Sequence, residues 1–356
     1  MFEQMVIQSH KGPYSATFDK SLINIPVLGV DGTHHLLIDA NVARLYANEL
    51  AEVLKHPHAV VIEATEENKS IERVIPVIEQ LVANKVRRDH ILVAIGGGII
   101  QDITCFIAST LLRGMTWKFV PTTLLAQADS CIGSKSSINL GATKNILGTF
   151  NPPAEIFVCA SFLDTLEQKD IHSGIGEILK VHAIDGREAF DQLANDYDRL
   201  LTDRSVLLRY IRNALQIKQK FIEVDEFDRS IRNIFNYGHS FGHAIESATD
   251  FGIPHGIAVT IGMDMANNIA AQRKLLSEGH YQRMHGVLKK NYMAYSNTEI
   301  DRDVLIAALM KDKKNTATKL VLIFPLGDEA NIERVEIDAD DRFLKQCGQF
   351  LAGMPA

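Results

Sequence analysis

The pattern of apolar and polar positions changes near the middle of the chain. Up to about residue 160, short apolar runs alternate with stretches of helical periodicity. The pattern predicts strands at 27–30, 35–39, 59–63 and 91–95, and helices at 42–54, 70–83 and 99–112. Strands that alternate with helices are typical of a parallel sheet with helical crossovers. We therefore predict an α/β domain over residues 1–160.

Beyond residue 160 the periodicity is almost entirely helical. Helices are predicted at 163–168, 175–183, 187–201, 205–223, 239–248, 257–273 and 281–289. One late segment, 319–325, has the apolar character of a strand. The pattern thus predicts a second, all-α domain over residues 161–356.

Length and composition agree with two domains and narrow the class of ligand. A chain of 356 residues with 46% hydrophobic residues fits two domains with substantial cores. A net charge of −7 argues against nucleic-acid or membrane-surface partners. The four cysteines are widely spaced, so no disulfide framework or zinc ribbon is indicated. With no signal-peptide pattern and no run of about 18 apolar residues, we expect a cytoplasmic protein that acts on a small molecule.

The ends of two predicted strands carry candidate nucleotide-binding residues. The strand at 91–95 ends on Gly96-Gly97-Gly98, immediately before a helix. Backbone amides at such a turn approach a phosphate, and the helix N-terminus favours negative charge. Asp39 likewise ends a strand, where ligands of parallel sheets bind. The residues alone do not decide between nucleotide binding and a purely structural role. Glycines also make simple tight turns, and an aspartate also caps a helix.

A second group of candidate residues is rich in histidine. His239 and His243 are four residues apart and share one face of a predicted helix, and His255 follows a turn. The spacing allows either His239 with His243 or His239 with His255 to bind a metal. Glu177 in the helix at 175–183 adds a carboxylate. Two imidazoles, one carboxylate and an open position are the ligands of a catalytic Zn2+ site.

Residues 96–153 carry a series of motifs whose order is hard to obtain by accident. They are Gly96-Gly97-Gly98 with Asp102, Arg113-Gly114, PTTLLA at 121–126 with Asp129-Ser130, Gly133 with Lys135, and Lys144-Asn145 with Gly148. This series resembles the signature of the 3-dehydroquinate synthase family, the sugar phosphate cyclases. The resemblance resumes at 174–256 and near residue 312, and it is loose over the first ninety residues.

The resemblance implies two cofactors and a set of residues for each. The metal, Zn2+ with Co2+ as an alternative, is assigned to Glu177, His239 and His255, which resolves the choice between the histidine pairs. NAD+ is assigned to Asp39, Asn41, Glu66, Lys69, Gly96, Gly97, Gly98, Asp102, Thr122, Thr123, Lys135, Lys144 and Thr165.

The resemblance also implies a strongly cationic substrate site. The family's substrate carries a phosphate and a carboxylate, which need charge-assisted donors. The catalytic residues implied are Lys135, Lys180, Lys218, Arg232, Asn236 and His243. The substrate-binding residues implied are Arg113, Asp129, Lys144, Asn145 and Lys313. Arg113 is assigned to the site of a neighbouring subunit, so a homodimer is expected.

The implied reaction converts a C7 sugar phosphate into a carbocycle. A substrate hydroxyl is oxidised by NAD+, phosphate is eliminated, the hydride returns, and the ring reopens and closes by an intramolecular aldol step. The first candidate substrate is 3-deoxy-arabino-heptulosonate 7-phosphate, with 3-dehydroquinate as product. The alternatives are a sister cyclase acting on sedoheptulose 7-phosphate or another sugar phosphate, a metal-dependent polyol dehydrogenase, and a non-enzymatic binding protein.

Particular positions bear on that choice. The continuation 242–246 (GHAIE), absent from valiolone-type cyclases, is present, and deoxy-inosose-type cyclases differ at Arg232 and Asn236. This chain departs from the synthase pattern at residues 133–136, which read GSKS where GGKT is usual, and at Asp228, where glutamate is common.

Overall fold

The computed structural model describes residues 3–19, 31–141, 143–311, 315 and 319–354. The chain forms two compact units, one of Met1–Leu166 with Lys218–Phe227 and one of Glu167–Ile217 with Asp228–Ala356. The predicted domain boundary lies after residue 160, and in the structure the first unit extends to Leu166. Lys218–Phe227, which the helical pattern placed in the second domain, belongs to the first unit, because periodicity predicts a helix but not what the helix packs against.

The first unit is built on a mostly parallel sheet. Its strands are β1 (Glu3–Ile7), β2 (Tyr14–Asp19), β3 (His34–Asp39), β4 (Ala59–Ile62), β5 (Ile91–Gly96), β6 (Thr116–Pro121), β7 (Lys135–Leu140), β8 (Thr143–Phe150) and β9 (Glu155–Cys159). Seven of them form one sheet in the order β1-β2-β9-β6-β5-β3-β4, in which β1 and β2 alone pair antiparallel. β7 and β8 form a separate antiparallel hairpin. The predicted parallel α/β architecture is confirmed.

The helices of this unit are α1 (Ala40–Leu45), α2 (Ala51–Leu54), α3 (Ile71–Ala83) and α4 (Gly98–Thr110). The single helix predicted over 42–54 is wrong, because Tyr46 leaves the helical conformation and its ring packs against Phe162. The β7–β8 hairpin was not predicted, since serine, glycine and asparagine interrupt its apolar positions. The strand predicted at 27–30 lies outside the described residues.

The central strands are buried on both faces. Leu36, Ile38, Val93 and Ile95 are fully buried in β3 and β5. Parallel strands covered by helices on both sides have such continuous apolar runs, which is why the sequence signal was clear here. The carboxyl ends of β3, β5 and β6 lie side by side at one edge of this sheet.

Five histidines gather at the opposite edge, and we call them the amino-end cluster: His34, His35, His56, His58 and His90. They lie at or just before the first residues of β3, β4 and β5. The buried His35 ring stacks on His58 with centroids 4.4 Å apart, and its Nε2 is 3.0 Å from His90 Nδ1. Burial, followed by the charges of neighbouring histidines, lowers the pKa of His35 to about 4.

The second unit is mainly helical. Its helices are α5 (Gln168–Asp185), α6 (Arg187–Thr202), α7 (Arg204–Val224, whose last residues belong to the first unit), α8 (His239–Ala248), α9 (His255–Gln272), α10 (Glu278–Tyr292), α11 (Arg302–Met310) and α12 (Asp341–Gly353). The prediction of an all-α domain is wrong in one respect, because β10 (Lys319–Leu326) pairs antiparallel with β11 (Asn331–Asp338). β11 was missed because charged residues interrupt its apolar positions. No described helix is both long and apolar enough to span a membrane.

A close approach between α5 and α9 sets the geometry of this unit. A Cβ atom at Gly176 would lie 2.1 Å from the backbone oxygen of Gly256, and one at Gly256 would lie 1.8 Å from that of Ser173. Only glycine allows the two backbones to come so near. As a result, Glu177 of α5 is brought beside the first turn of α9.

Candidate functional site

The predicted metal ligands converge in the second unit. Glu177 is almost fully buried, and its Oε1 is 3.7 Å from His239 Nε2 and 3.5 Å from His255 Nε2. Two atoms bonded to one tetrahedral Zn2+ at about 2.1 Å lie roughly 3.4 Å apart. In the described part of the chain, neither Glu177 oxygen accepts a hydrogen bond, although Oε2 forms an ion pair with Lys180. These residues therefore fit a divalent metal ion.

Each of the two imidazoles is held by a contact on its other nitrogen. His239 Nδ1 is 3.3 Å from the backbone oxygen of Tyr237. His255 Nδ1 is 3.2 and 3.3 Å from the two carboxylate oxygens of Glu246. Such outer contacts orient the rings of metal-binding histidines. Sequence reasoning missed this role of Glu246, although the residue ends the GHAIE motif, because spacing does not reveal which nitrogen a carboxylate contacts.

The two histidines differ in their electrostatics. Burial, together with the positive charge of Lys180, lowers the pKa of His239 well below its ordinary value. Burial also opposes protonation of His255, but the hydrogen bond with Glu246 and the charge of Glu177 outweigh it and raise the pKa of His255. A neutral imidazole has a lone pair available for a metal.

His243 belongs to the same group of side chains. Potential ligand atoms of His239, His243 and His255 all lie within 4.8 Å of one another. The His243 ring is exposed, and its centroid is 5.4 Å from that of His239 and 5.6 Å from that of His255. Its place in the phosphate-handling set, outside the metal ligands, stays a prediction.

Three other predicted residues lie in described parts of this unit. Lys180 pairs with Glu177 and lies 5.8 Å from the centroid of the Phe235 ring. Arg232 is buried on the 3-10 helix Ile231–Asn236. The Asn236 amide donates to the backbone oxygen of Asn233 at 3.0 Å. Lys313 lies outside the described residues.

Several predicted cofactor residues of the first unit lie at the carboxyl edge of the sheet. Gly96 ends β5, and Gly97 precedes α4 as its N-cap. The Thr122 amide donates to the Gly96 oxygen at 2.9 Å, and a Cβ at Gly97 would lie 2.9 Å from Thr123 Cγ2. Dinucleotides bind at such edges, against a helix N-terminus.

Asp39 ends β3 at the same edge. Its carboxylate accepts a hydrogen bond from the Asn41 amide at 2.8 Å, so the helix-cap interpretation is confirmed. Burial raises the pKa of Asp39. The Asn41 side chain is exposed and accepts a hydrogen bond from Arg44. The assignment of Asp39 and Asn41 to the adenosine ribose stays a prediction.

Lys69 is the centre of a cluster that unites residues far apart in sequence. Its Nζ is 2.9 Å from Asn145 Oδ1, 3.3 Å from Asp102 Oδ2 and 3.5 Å from Glu66 Oε1. Lys69 is itself buried. Burial raises the pKa of Asp102 to about 6, even though the Lys69 charge opposes this. Four residues predicted from the resemblance thus form one network, which Ser137 joins by an amide hydrogen bond to Asp102.

The remaining predicted residues are more scattered. Lys218 Nζ donates to the backbone oxygen of Asp129 at 2.6 Å and is 3.1 Å from its carboxylate. Lys135 and Lys144 are exposed on β7 and β8. Arg113 is exposed with φ of 65°, and the exposed Thr165 is 3.1 Å from the Tyr46 hydroxyl.

One departure from the expected motif lies in the β7–β8 hairpin. Ser136 is buried and faces Thr149 across the hairpin. The two hydroxyl oxygens are 2.7 Å apart.

The fold of the chain is that of solved sugar phosphate cyclases. A solved structure of 2-deoxy-scyllo-inosose synthase with carbaglucose-6-phosphate, NAD+ and Co2+ matches with a TM-score of 0.82 at 23% identity, over 99% of this chain and all of that one. The 2-epi-5-epi-valiolone synthase of Streptomyces hygroscopicus subsp. jinggangensis, solved with NAD+ and Zn2+, matches with a TM-score of 0.81 at 27% identity over 96% of each chain.

Comparison of sequences identifies the family more specifically than comparison of folds. The 3-dehydroquinate synthase N-terminal and C-terminal family models match residues 59–173 and 174–315. The 3-dehydroquinate synthase of Alkaliphilus oremlandii is 35% identical over 83% of both chains, and that of Alkaliphilus metalliredigens is 31% identical over 95% of this chain and 97% of its own. The chain belongs to the 3-dehydroquinate synthase family.

Proposed function

We propose that this protein is a 3-dehydroquinate synthase that uses NAD+ and a divalent metal ion. Its substrate is 3-deoxy-arabino-heptulosonate 7-phosphate, which loses phosphate and closes to 3-dehydroquinate. The observation that carries the proposal is the convergence of Glu177 Oε1 on His239 Nε2 and His255 Nε2, at 3.7 and 3.5 Å, in a chain 31–35% identical to synthases.

The residues of the second unit have different proposed roles, which follow from their charge and position. Glu177, His239 and His255 hold the divalent ion, proposed to be Zn2+, which supplies Lewis acidity toward substrate hydroxyls. Lys180 neutralises the second oxygen of Glu177. The buried guanidinium of Arg232 binds the substrate carboxylate through its two parallel donors. His243 and Asn236 serve the phosphate.

The residues of the first unit hold the nucleotide and part of the substrate. The amides at Gly97 and the start of α4 bind the NAD+ pyrophosphate, and the cofactor supplies reversible hydride acceptance. The substrate hydroxyl is oxidised only transiently, so the hydrogen on the adjacent carbon becomes acidic and phosphate leaves. Lys135 and Lys144 stabilise the departing phosphate by their charge.

The substrate assignment is tested by measuring kcat/KM for two substrates in two arginine variants. In Arg232→Leu, kcat/KM for 3-deoxy-arabino-heptulosonate 7-phosphate should fall roughly tenfold to a hundredfold, because a charge-assisted pair is lost. Sedoheptulose 7-phosphate, which has no carboxylate, should lose much less. Arg229→Leu is the matched control, since Arg229 is exposed three residues earlier in the chain.

Two results would contradict the assignment. One is a wild type that never turns over the carboxylate substrate, and the other is an equal loss for both substrates in Arg232→Leu. Product identification by mass and NMR would then decide among the sister cyclases.

The nucleotide site is tested at Gly97. Gly97→Asp introduces bulk and negative charge at the proposed pyrophosphate site and should abolish NAD+ binding measured by calorimetry. Gly279→Asp, an exposed position with open space around it, is the control for the same change. Because a Cβ at position 97 also crowds Thr123 Cγ2, Gly97→Ala is compared with Gly97→Ala/Thr123→Ser, referenced to Thr123→Ser. NAD+ affinity that is unchanged in Gly97→Asp would contradict the nucleotide assignment, and restored affinity in the double variant would assign the effect of Gly97→Ala to packing against Thr123.

The proposed homodimer is tested by light scattering and by complementation. If Arg113 serves the neighbouring subunit, Arg113→Ala and His255→Ala are each inactive alone but regain activity when unfolded together and refolded as a mixture. A monomer with full activity, or a mixture that stays inactive, would rule out this role.

A further inference from the structure

The side chain of His255 lies between two carboxylates. Its Nε2 is 3.5 Å from Glu177 Oε1, and its Nδ1 is 3.2 and 3.3 Å from the two oxygens of Glu246. The Glu246 side chain is only 13% exposed, so water screens this contact weakly. We propose that Glu246 is a positioning residue of the metal site that fixes the tautomer and orientation of His255. The inference rests on the proposed function for the presence of the metal.

The chemistry of the two groups decides the tautomer. An ionised carboxylate only accepts hydrogen bonds, so Nδ1 of His255 must carry the proton when it contacts Glu246. The lone pair of a neutral ring is then on Nε2, the nitrogen that faces Glu177. Without Glu246, the contacts that the described residues make with Nδ1 no longer select that tautomer, and no carboxylate at Nδ1 raises the basicity of the imidazole.

The course of the backbone places Glu246 near both histidines. His239 and Glu246 are seven residues apart in α8, about two turns, and therefore lie on the same face of the helix. The Phe251 amide donates to the Glu246 backbone oxygen at 2.8 Å and closes the end of α8. The chain then returns to His255, the first residue of α9. One short segment thus joins a histidine ligand, its positioning carboxylate and the second histidine.

The other histidine ligand shows why Glu246 matters. His239 Nδ1 is held by the backbone oxygen of Tyr237, an uncharged acceptor that no side-chain substitution removes. Of the two outer contacts, the one at His255 is charged and depends on one side chain. Metal affinity should therefore respond to the identity of residue 246.

The test measures Zn2+ affinity directly, by competition between metal-free full-length protein and a chromophoric chelator. Glu246→Ala should weaken Zn2+ binding about 10-fold to 100-fold. Glu246→Gln keeps an acceptor but no charge and should lie between Glu246→Ala and the wild type, and Glu246→Asp should recover part of the loss. The control is Asp31→Asn, which removes another carboxylate that contacts a histidine, His34, at 2.8 Å. This control should bind Zn2+ like the wild type.

Two further measurements separate positioning from general damage. The melting temperature of the metal-free protein should be unchanged in Glu246→Gln, and the visible absorption bands of the Co2+-loaded variant should shift because its ligand field changes. If Glu246→Ala alone melts lower without metal, the isosteric Gln variant carries the test. Zn2+ affinity that is unchanged in the Ala, Gln and Asp variants overturns this inference alone. A wild type that binds no Zn2+ overturns both the inference and the metal-dependent function.

Discussion

Histidines gather twice in this chain, at the amino ends of β3, β4 and β5 and at the first turns of α8 and α9. In the amino-end cluster the rings contact one another: His35 stacks on His58, and its Nε2 meets His90. In the second unit, His239 and His255 instead direct Nε2 toward the buried Glu177 and keep Nδ1 on separate partners. Among the described residues, only the group with His243 brings three potential ligand atoms within 4.8 Å.

This difference shows that the number of imidazoles does not define a metal site. A site needs nitrogens that remain available, and that depends on what the other nitrogen contacts and on a carboxylate placed nearby. In the amino-end cluster, His35 Nε2 meets His90 Nδ1, and the carboxylate that His34 Nδ1 contacts, that of Asp31, is exposed rather than buried. The following predictions test this contrast, from the largest expected effect to the smallest.

The largest effect is expected from a comparison of two variants. Glu177→Gln removes the buried carboxylate beside His239 and His255, and His58→Gln removes one ring of the amino-end cluster. Glu177→Gln should weaken metal binding by more than the roughly 100-fold loss typical of an outer contact, and turnover should be abolished. His58→Gln should retain both. Metal content after dialysis and phosphate release from the substrate are the two measurements. Equal metal loss in both variants would show that the clusters do not differ as described.

A second test concerns acid. The pKa of His35 is about 4 in the folded protein, below the 6.5 of an unperturbed histidine, so the unfolded chain takes up the proton first. Stability is therefore full above pH 6.5 and falls as the pH decreases toward 4, by about 3 kcal/mol for this residue. His35→Gln should flatten the decline in unfolding free energy between pH 7 and 5, measured by urea denaturation of metal-free protein. A slope equal to that of the wild type would contradict the lowered pKa.

The smallest effect is expected at His243, which shares its cluster with two predicted ligands. If it is not a ligand, His243→Gln should change Zn2+ affinity less than tenfold while lowering the turnover number, since its predicted role is in phosphate and proton handling. His239→Gln is the comparison, and it should lose the metal. A loss of Zn2+ at position 243 as large as that at position 239 would move His243 into the ligand set.

Sequence reasoning succeeded where the signal is local or repeated. The apolar run of β5 followed by glycines predicted the turn into α4, and helical periodicity predicted α8 and α9 within two residues. Spacing left two histidine pairs open, and the choice of Glu177, His239 and His255 was implied by the family resemblance; the structure brings these three residues together. The turn into α4 and the bounds of α8 and α9, in contrast, depend on short stretches with a clear local pattern.

It failed where contacts join distant positions. Lys69 meets Glu66 within one turn, but its contacts with Asp102 and Asn145 span 33 and 76 residues, which no local pattern encodes. Lys218 likewise contacts Asp129, 89 residues away in sequence, and the end of α7 belongs to the first unit. The role of Glu246 depends on the orientation of a ring, which spacing alone does not specify.

The contact between Gly176 and Gly256 sets the distance between two of the proposed metal ligands, Glu177 and His255. A methyl group at position 176 would have to stand 2.1 Å from a backbone oxygen, so α5 and α9 would separate and Glu177 would retreat from His255 although no ligand had changed. A wider gap would no longer let one ion reach Glu177 and both imidazoles at bond lengths of about 2.1 Å. We therefore expect Gly176→Ala to weaken Zn2+ binding at the proposed site, measured by competition with a chromophoric chelator. The spacing of the proposed ligands would then depend on the close approach of two backbones, and not on the ligands alone.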